Sequence, residues 1–396
     1  MSTTNKENTQ SDYKIWNEVS RNFDNMGLKG ELLKGVYCHG FNKPSNIQQR
    51  AIIPLYQGHD LIAQSQSGTG KTGAFSIGLL NRINDKNLNL QGLILSPTRE
   101  LVQQTYYVLN SISSNMNLKI SEFIGGTEVN DDIRNLKNGC QIAVGTPGRL
   151  FDLIERGALK TNNIITLIID EADQMLATDF KEQIRQIIKN IPQSTQVSVF
   201  SATLTPDVLQ LCQHLMNDPY HILLKNSELT LEGIRQYYVD VNQEKYKFDV
   251  LLDLYQSMNI TSAIIYVNTL KKCDYVYDRL IDNKHAVSKL HGKMEQSSRN
   301  KIMKDFRLGH TRILLTTDLL ARGIDVQQVS LVINYDLPND NANYIHRIGR
   351  TGRYGKKGVA INFSTKEDFN IIENLEKHYS TSIVELPADL NSIYNY

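Results

Sequence analysis

The sequence lacks an excess of charge of either sign, since 43 basic residues balance 42 acidic residues among 396. This balance excludes a protein whose overall field draws it to nucleic acid or to an anionic membrane, so any nucleic-acid site has to be local. Cysteine is also scarce, and the four residues show no Cys-x-x-Cys spacing and no neighbouring histidine cluster. That absence excludes a disulfide framework and a zinc-binding cluster, so we expect reduced thiols.

Long hydrophobic runs are missing as well. Runs such as Ile164–Ile169 and Ile313–Leu315 are far shorter than the roughly 20 residues that a membrane-spanning helix needs. The first residues, Met1–Asp12, are polar and contain neither the apolar core of a secretory signal nor the arginines of a transit peptide. We therefore expect a soluble protein with no membrane partner, located in the cytoplasm, with the nucleus as the alternative.

Short runs rich in apolar and β-branched residues alternate with segments of helical periodicity along the chain. Because these runs are apolar throughout, they are typical of parallel strands buried on both faces of a sheet. The pattern predicts an α/β fold with two doubly wound parallel sheets, one in each half. In the first half the runs are Asp60–Gln64, Gly92–Ser96, Gln141–Gly145, Leu167–Ile169 and Gln196–Phe200. In the second half they are Ser262–Val267, Arg312–Thr316, Leu331–Asn334 and Val359–Phe363.

A polar segment with a glycine, residues 225–234, interrupts this alternation and predicts a linker. The predicted organisation is a disordered tail over residues 1–21, a first domain over 22–224 and a second domain over 235–396. A linker this short keeps two domains close while allowing them to reorient, so a shared cleft is physically reasonable.

A glycine-rich loop follows the first predicted strand and leads into a segment of helical pattern that begins near Lys71. This context is the one that a phosphate-binding loop requires. Backbone N–H groups of such a loop cradle phosphate oxygens, while Lys71 supplies a positive charge and Thr72 a hydroxyl for Mg²⁺. The predicted nucleotide-binding residues of the loop are Ser65, Gln66, Ser67, Gly68, Thr69, Gly70, Lys71 and Thr72.

The loop departs from the usual pattern at its first position, where Ser65 stands in place of glycine or alanine. Serine is small, so we expect it to fit with an extended backbone. A flexible serine-glycine loop is the alternative interpretation, but it would not require the Lys71-Thr72 pair.

An apolar strand, Thr166–Ile169, delivers two carboxylates at its carboxyl end, where open α/β sheets bind their ligands. Asp170 is predicted to hold Mg²⁺ through its water shell, and Glu171 to orient and deprotonate the attacking water. The alternative, an acidic helix N-cap, becomes less attractive once the strand end is paired with the phosphate loop. Together they predict an enzyme that binds and hydrolyses a nucleoside triphosphate.

The run Asp170-Glu-Ala-Asp173 spells the signature of the DEAD-box RNA helicases, and the chain resembles that family from about Phe23 onward. The resemblance implies two tandem RecA-like domains and the cofactors ATP and Mg²⁺. It also implies that Phe41 stacks on the adenine base while Gln48 pairs with the base edge. The chemistry agrees, because a Gln amide both donates and accepts and so matches the N6 and N7 edge of adenine.

Further motifs of the family follow in order in the first half. Ser201 and Thr203 resemble the motif that couples nucleotide state to domain closure by bonding to the acidic run at Asp173. Helix N-termini and glycine backbones suit RNA phosphates, and arginines add charge. The residues that the family turns toward RNA are Pro97, Thr98, Arg99, Gly125, Gly126, Thr146, Pro147 and Arg149.

The second half carries the remaining motifs. The resemblance implies that Asp325 reaches the ribose and that His346 takes part in interdomain coupling. Arg350 and Arg353 are the candidate arginine fingers, whose guanidinium groups would meet the γ-phosphate only when the domains close. The corresponding RNA contacts are Asn268, Gln296, Arg299 and Thr316.

Within the family, four stretches resemble the branch that acts in translation initiation. That branch implies RNA as the substrate, scaffold and activator proteins as partners, and a monomeric helicase core with no appended RNA-binding module. Departures from it include Ser65, Val102 and Thr351, so a nuclear relative that clamps RNA within an assembly stays open as the alternative. A DNA helicase fits less well, because the acidic motif is that of the RNA branch. The four stretches are Glu228–Ile234, Ala321–Pro338, Gly358–Asn362 and Glu376–Pro387.

Overall fold

The computed structural model describes residues 14–16, 18–65, 68–176, 180–223, 233–258, 260–318, 329–351 and 358–393. The chain divides into two compact units. The first contains Met1–Ser65 and Gly70–Leu223, and the second contains Leu224–Tyr396. Most of the segment that we interpret as the linker lies outside the described residues.

The first unit is built on a seven-stranded sheet whose neighbouring strands pair in parallel, in the order β3-β4-β2-β5-β6-β1-β7. Its strands are β1 Leu61–Gln64, β2 Gly92–Leu95, β3 Ile120–Phe123, β4 Ile142–Gly145, β5 Thr166–Asp170, β6 Gln196–Ser201 and β7 Tyr220–Leu223. Its helices are α1 Gly30–Cys38, α2 Asn46–Gln57, α3 Lys71–Arg82, α4 Arg99–Ile112, α5 Val129–Lys137, α6 Pro147–Glu155, α7 Ala172–Leu176, α8 Phe180–Lys189 and α9 Pro206–Leu215, and a 3₁₀ turn covers Phe23–Met26.

The second unit repeats this plan, with a parallel seven-stranded sheet in the order β10-β11-β9-β12-β13-β8-β14. Its strands are β8 Ile234–Asn242, β9 Ala263–Tyr266, β10 Val287–Leu290, β11 Ile313–Thr316, β12 Leu331–Asn334, β13 Gly358–Thr365 and β14 Val384–Glu385. Its helices are α10 Lys247–Ser257, α11 Leu270–Asp282, α12 Gln296–Arg307, α13 Asn341–Ile348 and α14 Phe369–Tyr379, with 3₁₀ turns at Glu244–Tyr246 and Leu390–Ile393. Over the described part of the chain, no helix has the length and apolar character needed to cross a membrane.

The prediction of two doubly wound parallel sheets is confirmed, and every strand that the apolar runs predicted is present. The sequence pattern missed β3, β7, β8, β10 and β14, of which all but β8 lie at a sheet edge. Edge strands such as β3 and β10 bury only their first and last residues. Because such strands are not covered on all sides, they do not need the continuous apolar run that identified the central strands.

The prediction of a disordered tail over residues 1–21 is wrong for the residues in this range that the structure describes. Ile15 pairs in parallel with His221, which extends the sheet beyond β7. The Lys14 ammonium lies 2.7 Å from the Asp218 carboxylate, and the Trp16 ring packs edge-on against Tyr220 with their centroids 4.9 Å apart. Lys14, Ile15 and Trp16 are therefore ordered, because the edge of β7 and the residues beside it offer backbone, charged and aromatic partners that the sequence pattern does not reveal.

Close packing of α1 against α4 depends on a glycine. A Cβ atom placed on Gly35 would lie 1.7 Å from the Ile112 backbone oxygen, which is far inside van der Waals contact. The neighbouring Gly30, at the start of the same helix, has no atom within 4 Å of its hypothetical Cβ. Gly35 therefore sets the distance between the two helices, whereas Gly30 does not.

We expect Gly35→Ala to lower the unfolding free energy of the first unit by about 1–3 kcal/mol, because the added methyl group forces two packed backbones apart. Gly30→Ala is the matched control, and it should be neutral or slightly stabilising, since alanine favours a helix. Urea unfolding followed by the fluorescence of Trp16, the single tryptophan of the chain, reports on this unit alone. Equal stability of the two variants would contradict the role given to Gly35.

Candidate functional site: the carboxyl edges of the two sheets

Three adjacent strands of the first sheet, β5, β6 and β1, end at residues that the sequence singled out. β5 ends at Asp170, β6 ends at Ser201, and Ser65 follows β1. The Ser65 N–H donates to the Ser201 carbonyl at 2.9 Å, which continues the pairing of the strands by one residue. Ser65 is fully buried there. The strand ends thus meet at one edge of the sheet, where parallel α/β sheets bind ligands.

The phosphate loop turns from β1 into α3 through glycines in the left-handed region. Gly70, with a φ of 98°, is the N-cap of α3, and the helix begins at Lys71 as predicted. The Lys71 side chain is only 5% exposed; its Nζ donates to the Ser65 carbonyl at 2.9 Å and lies 3.3 Å from Glu171 Oε1. Thr72 is the second residue of the helix and half-buried. Gln66 and Ser67 lie outside the described residues.

The acidic strand end is buried and electrostatically crowded. Burial, reinforced by the neighbouring Glu171 carboxylate, raises the pKa of Asp170 to about 7, although the charge of Lys71 acts in the opposite direction. Glu171 adopts a left-handed backbone with a φ of 49°, and its N–H donates to Asp170 Oδ1 at 3.0 Å. A non-glycine residue in this region is strained, and such strain is common where a fold fixes a functional side chain.

The predicted coupling residues form a closed set of hydrogen bonds with the acidic run. The Thr203 hydroxyl donates to Asp173 Oδ2 at 2.7 Å, and the Asp173 N–H donates to Ser201 Oγ at 3.3 Å. The Ser201 hydroxyl in turn donates to the Thr203 carbonyl at 2.7 Å. The end of β6 is therefore bonded to the start of α7, so a displacement of either one is transmitted to the other.

The residues predicted to read adenine lie against the start of α3. Gln48 is 3% exposed, and its Nε2 donates to the Gly70 carbonyl at 3.2 Å while its Oε1 accepts from the Ser45 N–H at 2.9 Å. A Cβ on Gly73 would meet Gln48 Nε2 at 2.6 Å and the Phe41 ring at 3.1 Å. Gln48 thus supports the loop that precedes α3, a contact that the sequence reading did not foresee.

Residues predicted to face RNA follow the other three adjacent strands, β2, β3 and β4. Thr98 caps α4 by accepting from the Leu101 N–H at 3.3 Å, and Thr146 is the N-cap of α6, which begins with Pro147. Gly126 has a φ of 86°, and its hypothetical Cβ would lie 2.8 Å from the Arg99 guanidinium. The strand ends predicted to bind nucleotide and those predicted to face RNA therefore occupy two adjoining parts of the carboxyl edge of the sheet.

Arg149, which is predicted to face RNA, is paired within the first unit. Its guanidinium donates to the Thr127 carbonyl at 2.8 Å and to the Thr127 hydroxyl at 3.0 Å, and it forms a buried ion pair with Asp132. All of these partners belong to the chain itself, and Arg149 is buried. Arg149 therefore stabilises the loop that carries Thr127.

In the second unit, a fully buried arginine organises the carboxyl edge. Arg347 donates to Asp318 Oδ2 at 2.7 Å, to the Asp336 carbonyl at 2.6 Å and to Asn268 Oδ1 at 2.7 Å. Asn268, a predicted RNA contact, is thereby fixed, and its Nδ2 donates to the Leu337 carbonyl at 2.8 Å. The sequence reading did not assign Arg347 a role, because a motif rich in arginine does not indicate which guanidinium points inward.

Most of the remaining residues predicted in the second unit are buried. His346 and Arg350 are buried on and just after α13, and Arg350 Nε donates to the His346 carbonyl at 3.1 Å. Thr316 is fully buried at the end of β11, and its hydroxyl donates to the Leu290 carbonyl at 2.8 Å, so this side chain is internal. Gln296 begins α12, and Arg299 lies one turn further and is largely buried. Asp325 and Arg353 lie outside the described residues.

Sequence reasoning also missed a buried carboxylate that follows β12. The ammonium groups of Lys247 and Lys272 lie 3.2 and 2.8 Å from Asp336 Oδ1. Burial opposes ionisation, but the hydrogen bonds from Lys272 and the Asn268 N–H, with the charge of Lys247, hold the pKa of Asp336 below its usual range. The available signal was an acidic residue after an apolar strand, the same signal that identified Asp170.

Comparison with protein-family models agrees with this geometry. Residues 45–211 match the model described as DEAD/DEAH box helicase. Residues 246–355 match the model described as helicase conserved C-terminal domain. The first match covers the phosphate loop, the acidic strand end and the residues of the first unit that are predicted to face RNA, although Phe41 precedes it. The second match covers most of the second unit.

Relatives and solved structures extend the agreement over nearly the whole chain. Proteins named ATP-dependent RNA helicase eIF4A are 53% identical in Yarrowia lipolytica and 52% identical in Kluyveromyces lactis, over 95% and 96% of this chain and equal shares of theirs. These names confirm the resemblance of the chain to that branch of the family. The structure of S. cerevisiae Dbp5 bound to RNA and ADP BeF3 is 39% identical with a TM-score of 0.87, covering 94% of this chain and 98% of that one. A DEAD box protein from Methanococcus jannaschii is 35% identical with a TM-score of 0.56, covering 93% of this chain and 100% of that one. The chain therefore belongs to the DEAD-box family of ATP-dependent RNA helicases.

Proposed function

We propose that the chain uses ATP to remodel short RNA duplexes, with little sequence preference, during translation initiation. The observation that carries the catalytic part is the contact of Lys71 with both Ser65 and Glu171, at the end of three adjacent strands. It brings a phosphate-binding ammonium and a candidate base to within 3.3 Å of each other. The relatives named eIF4A support the assignment to translation initiation.

ATP binds in this proposal with its phosphates on the loop before α3 and its base on the adjoining motif. Backbone N–H groups at the start of α3 and the positive end of the helix attract the phosphates. Phe41 offers a ring face to adenine, and Gln48, which already supports Gly70, lies beside it. Base recognition and phosphate binding are thereby joined through one amide side chain. Asp325 is the proposed contact of the ribose.

Mg²⁺ fits the donors at this edge. The Thr72 hydroxyl and the Asp170 carboxylate are hard oxygen donors of the kind that Mg²⁺ prefers. The raised pKa of Asp170 is consistent with such a role, because a buried carboxylate beside another carboxylate gains from a cation. When bound, the metal supplies positive charge that neutralises the phosphate oxygens during transfer.

Hydrolysis in this proposal requires Lys71 to change partners. Its ammonium forms a buried ion pair with Glu171, and a γ-phosphate competes for the same charge. Once Lys71 binds the phosphate, the Glu171 carboxylate is released to accept a proton from the attacking water. The guanidinium groups of Arg350 and Arg353 then stabilise the charge of the transferring phosphoryl group. Asp173, Ser201, Thr203 and His346 make this step sensitive to domain closure.

RNA binds in this proposal along the other half of the edge. The N-termini of α4 and α6 and the glycine turn at Gly125–Gly126 present backbone N–H groups, and Arg99 adds a charge. Such groups recognise phosphates and not base edges, so sequence preference is weak. Asn268, Gln296 and Arg299 are the proposed contacts from the second domain.

The ATPase rate of the purified protein should rise several-fold when single-stranded RNA is added, and much less with DNA of the same sequence. The reason is that contacts to 2′-hydroxyl groups distinguish the two backbones. The stimulation should fall steeply with salt, because the contacts are mainly to phosphates. A steady-state ATPase assay over a salt series measures both effects, and equal rates with RNA, with DNA and without nucleic acid would refute the proposal.

Glu171→Gln should lower kcat at least about 100-fold and leave the affinity for ATP unchanged or higher. The amide cannot accept the proton of water, and it no longer holds Lys71 in an ion pair. Glu182→Gln is a matched control, since it removes an exposed carboxylate of α8 with the same chemistry. Nucleotide binding and single-turnover hydrolysis separate the two effects, and a normal kcat in Glu171→Gln would remove Glu171 as the base.

Assignment to translation initiation is separable from the chemistry. The alternative is an RNA clamp in a nuclear assembly, with slow turnover and partner-dependent RNA retention. Affinity purification of the tagged chain from cytoplasmic and nuclear extracts should recover translation initiation factors, including a scaffold protein, from the cytoplasm. Recovery of splicing proteins in their place would support the nuclear alternative.

A further inference from the structure

A histidine contacts the ring that we propose stacks on adenine. His39 follows the last residue of α1, and its imidazole meets the Phe41 ring in a T-shaped arrangement, with centroids 4.6 Å apart and planes at 69°. Edge-to-face pairs at this distance are favourable and fix the relative orientation of two rings. His39 belongs to none of the motifs that the proposed function uses.

A second contact fixes the imidazole itself. His39 Nδ1 lies 2.7 Å from the Ser111 hydroxyl on α4. Burial lowers the pKa of His39 from its ordinary value, which favours the neutral imidazole. The hydrogen bond sets the plane of the imidazole, and the imidazole borders one side of Phe41.

The backbone around this pair leaves little room for adjustment. The His39 N–H donates to the Gly35 carbonyl at 2.9 Å, and the Phe41 N–H donates to the Val36 carbonyl at 3.2 Å. The close approach of Gly35 to Ile112 holds α1 against α4, so His39 and Ser111 cannot separate without breaking that packing. On the α3 side, Gly73 lies close enough to the Phe41 ring that a Cβ would be 3.1 Å from it.

We propose that His39, held by Ser111, is a positioning residue that sets the plane of Phe41 and thereby contributes to adenine binding. This inference rests on the proposed role of Phe41 in stacking on the base. It predicts an effect on the binding of the base and none on the chemistry at the phosphates, because His39 contacts Phe41 and not the phosphate loop.

The test is the kinetics of RNA-stimulated ATP hydrolysis by the full chain. His39→Ala should raise the KM for ATP about three- to tenfold, with kcat unchanged, because only the orientation of the stacking ring is lost. The inhibition constant of inorganic triphosphate, a base-free probe of the same loop, should stay at the wild-type value. Ser111→Ala should raise the KM less than His39→Ala, and His39→Phe should restore most of the affinity by restoring a ring.

Tyr107→Ala is the matched control, since Tyr107 is an exposed ring on α4 whose centroid lies 6.4 Å from that of His39. It should leave the KM unchanged. The double variant His39→Ala with Phe41→Ala should have the KM of Phe41→Ala alone, because His39 acts through Phe41. Independent effects of the two substitutions would overturn the inference, as would an equal weakening of inorganic triphosphate.

Failure of this inference can be told apart from failure of the proposed adenine site. If Phe41→Ala raises the KM for ATP and His39→Ala does not, the positioning role is overturned and the stacking role stands. If Phe41→Ala leaves the KM unchanged, the adenine role of Phe41 is overturned, and the positioning inference with it. Thermal unfolding of each variant checks that it is folded; a loss of folded protein alone would lower the apparent kcat and leave the KM unchanged.

Discussion

The nucleotide site depends on the contacts of one buried ammonium group, that of Lys71. Lys71 is almost fully removed from water, and a charge in that position is tolerated only with partners on all sides. Its partners are a carbonyl from the loop after β1 and a carboxylate from the residue after β5. The two strands are not neighbours, since β6 lies between them, and the Ser65–Ser201 hydrogen bond joins β6 to the loop. One cation thus holds three strand ends and the first turn of α3 in register.

The second unit also buries a positive charge, in this case the guanidinium of Arg347. In place of water, the Arg347 guanidinium donates to a carboxylate, a backbone carbonyl and a side-chain amide oxygen. Its N–H groups lie in one plane and can bond to all three acceptors at once. Asn334 and Asn362, on adjacent strands β12 and β13, continue the hydrogen bonding into the core, where Asn362 Nδ2 lies 3.3 Å from the Tyr344 hydroxyl. A buried polar set of this kind specifies one arrangement of α13 against the sheet, because any shift leaves a buried group without its partner.

Strand order explains how one sheet edge can offer separate places to the two ligands of the proposed function. The strands that carry nucleotide motifs are adjacent, and so are the strands that carry RNA motifs, with β5 and β2 at the boundary. Helix α4 crosses this boundary. Its N-cap is Thr98, one of the residues predicted to face RNA. Near its other end, Ser111 is hydrogen-bonded to the His39 imidazole, which contacts Phe41. The separation of the two proposed sites therefore follows from the strand order, and the connection between them follows from the packing of α4.

The sequence by itself determined the fold class, the central strands other than β8, the phosphate loop and the acidic strand end. Buried parallel strands need continuous apolar runs, and phosphate chemistry needs particular side chains at fixed spacing. It did not determine the edge strands, the ordered segment at Lys14–Trp16 or the direction in which each arginine points. Arg99 lies beside a glycine turn, whereas Arg149 and Arg347 are buried in ion pairs, and nothing in their local sequence separates the three. Only the tertiary structure decided this, because the partner of a long charged side chain comes from another element: Asp132 on α5 for Arg149, and Asp318 beyond β11 for Arg347.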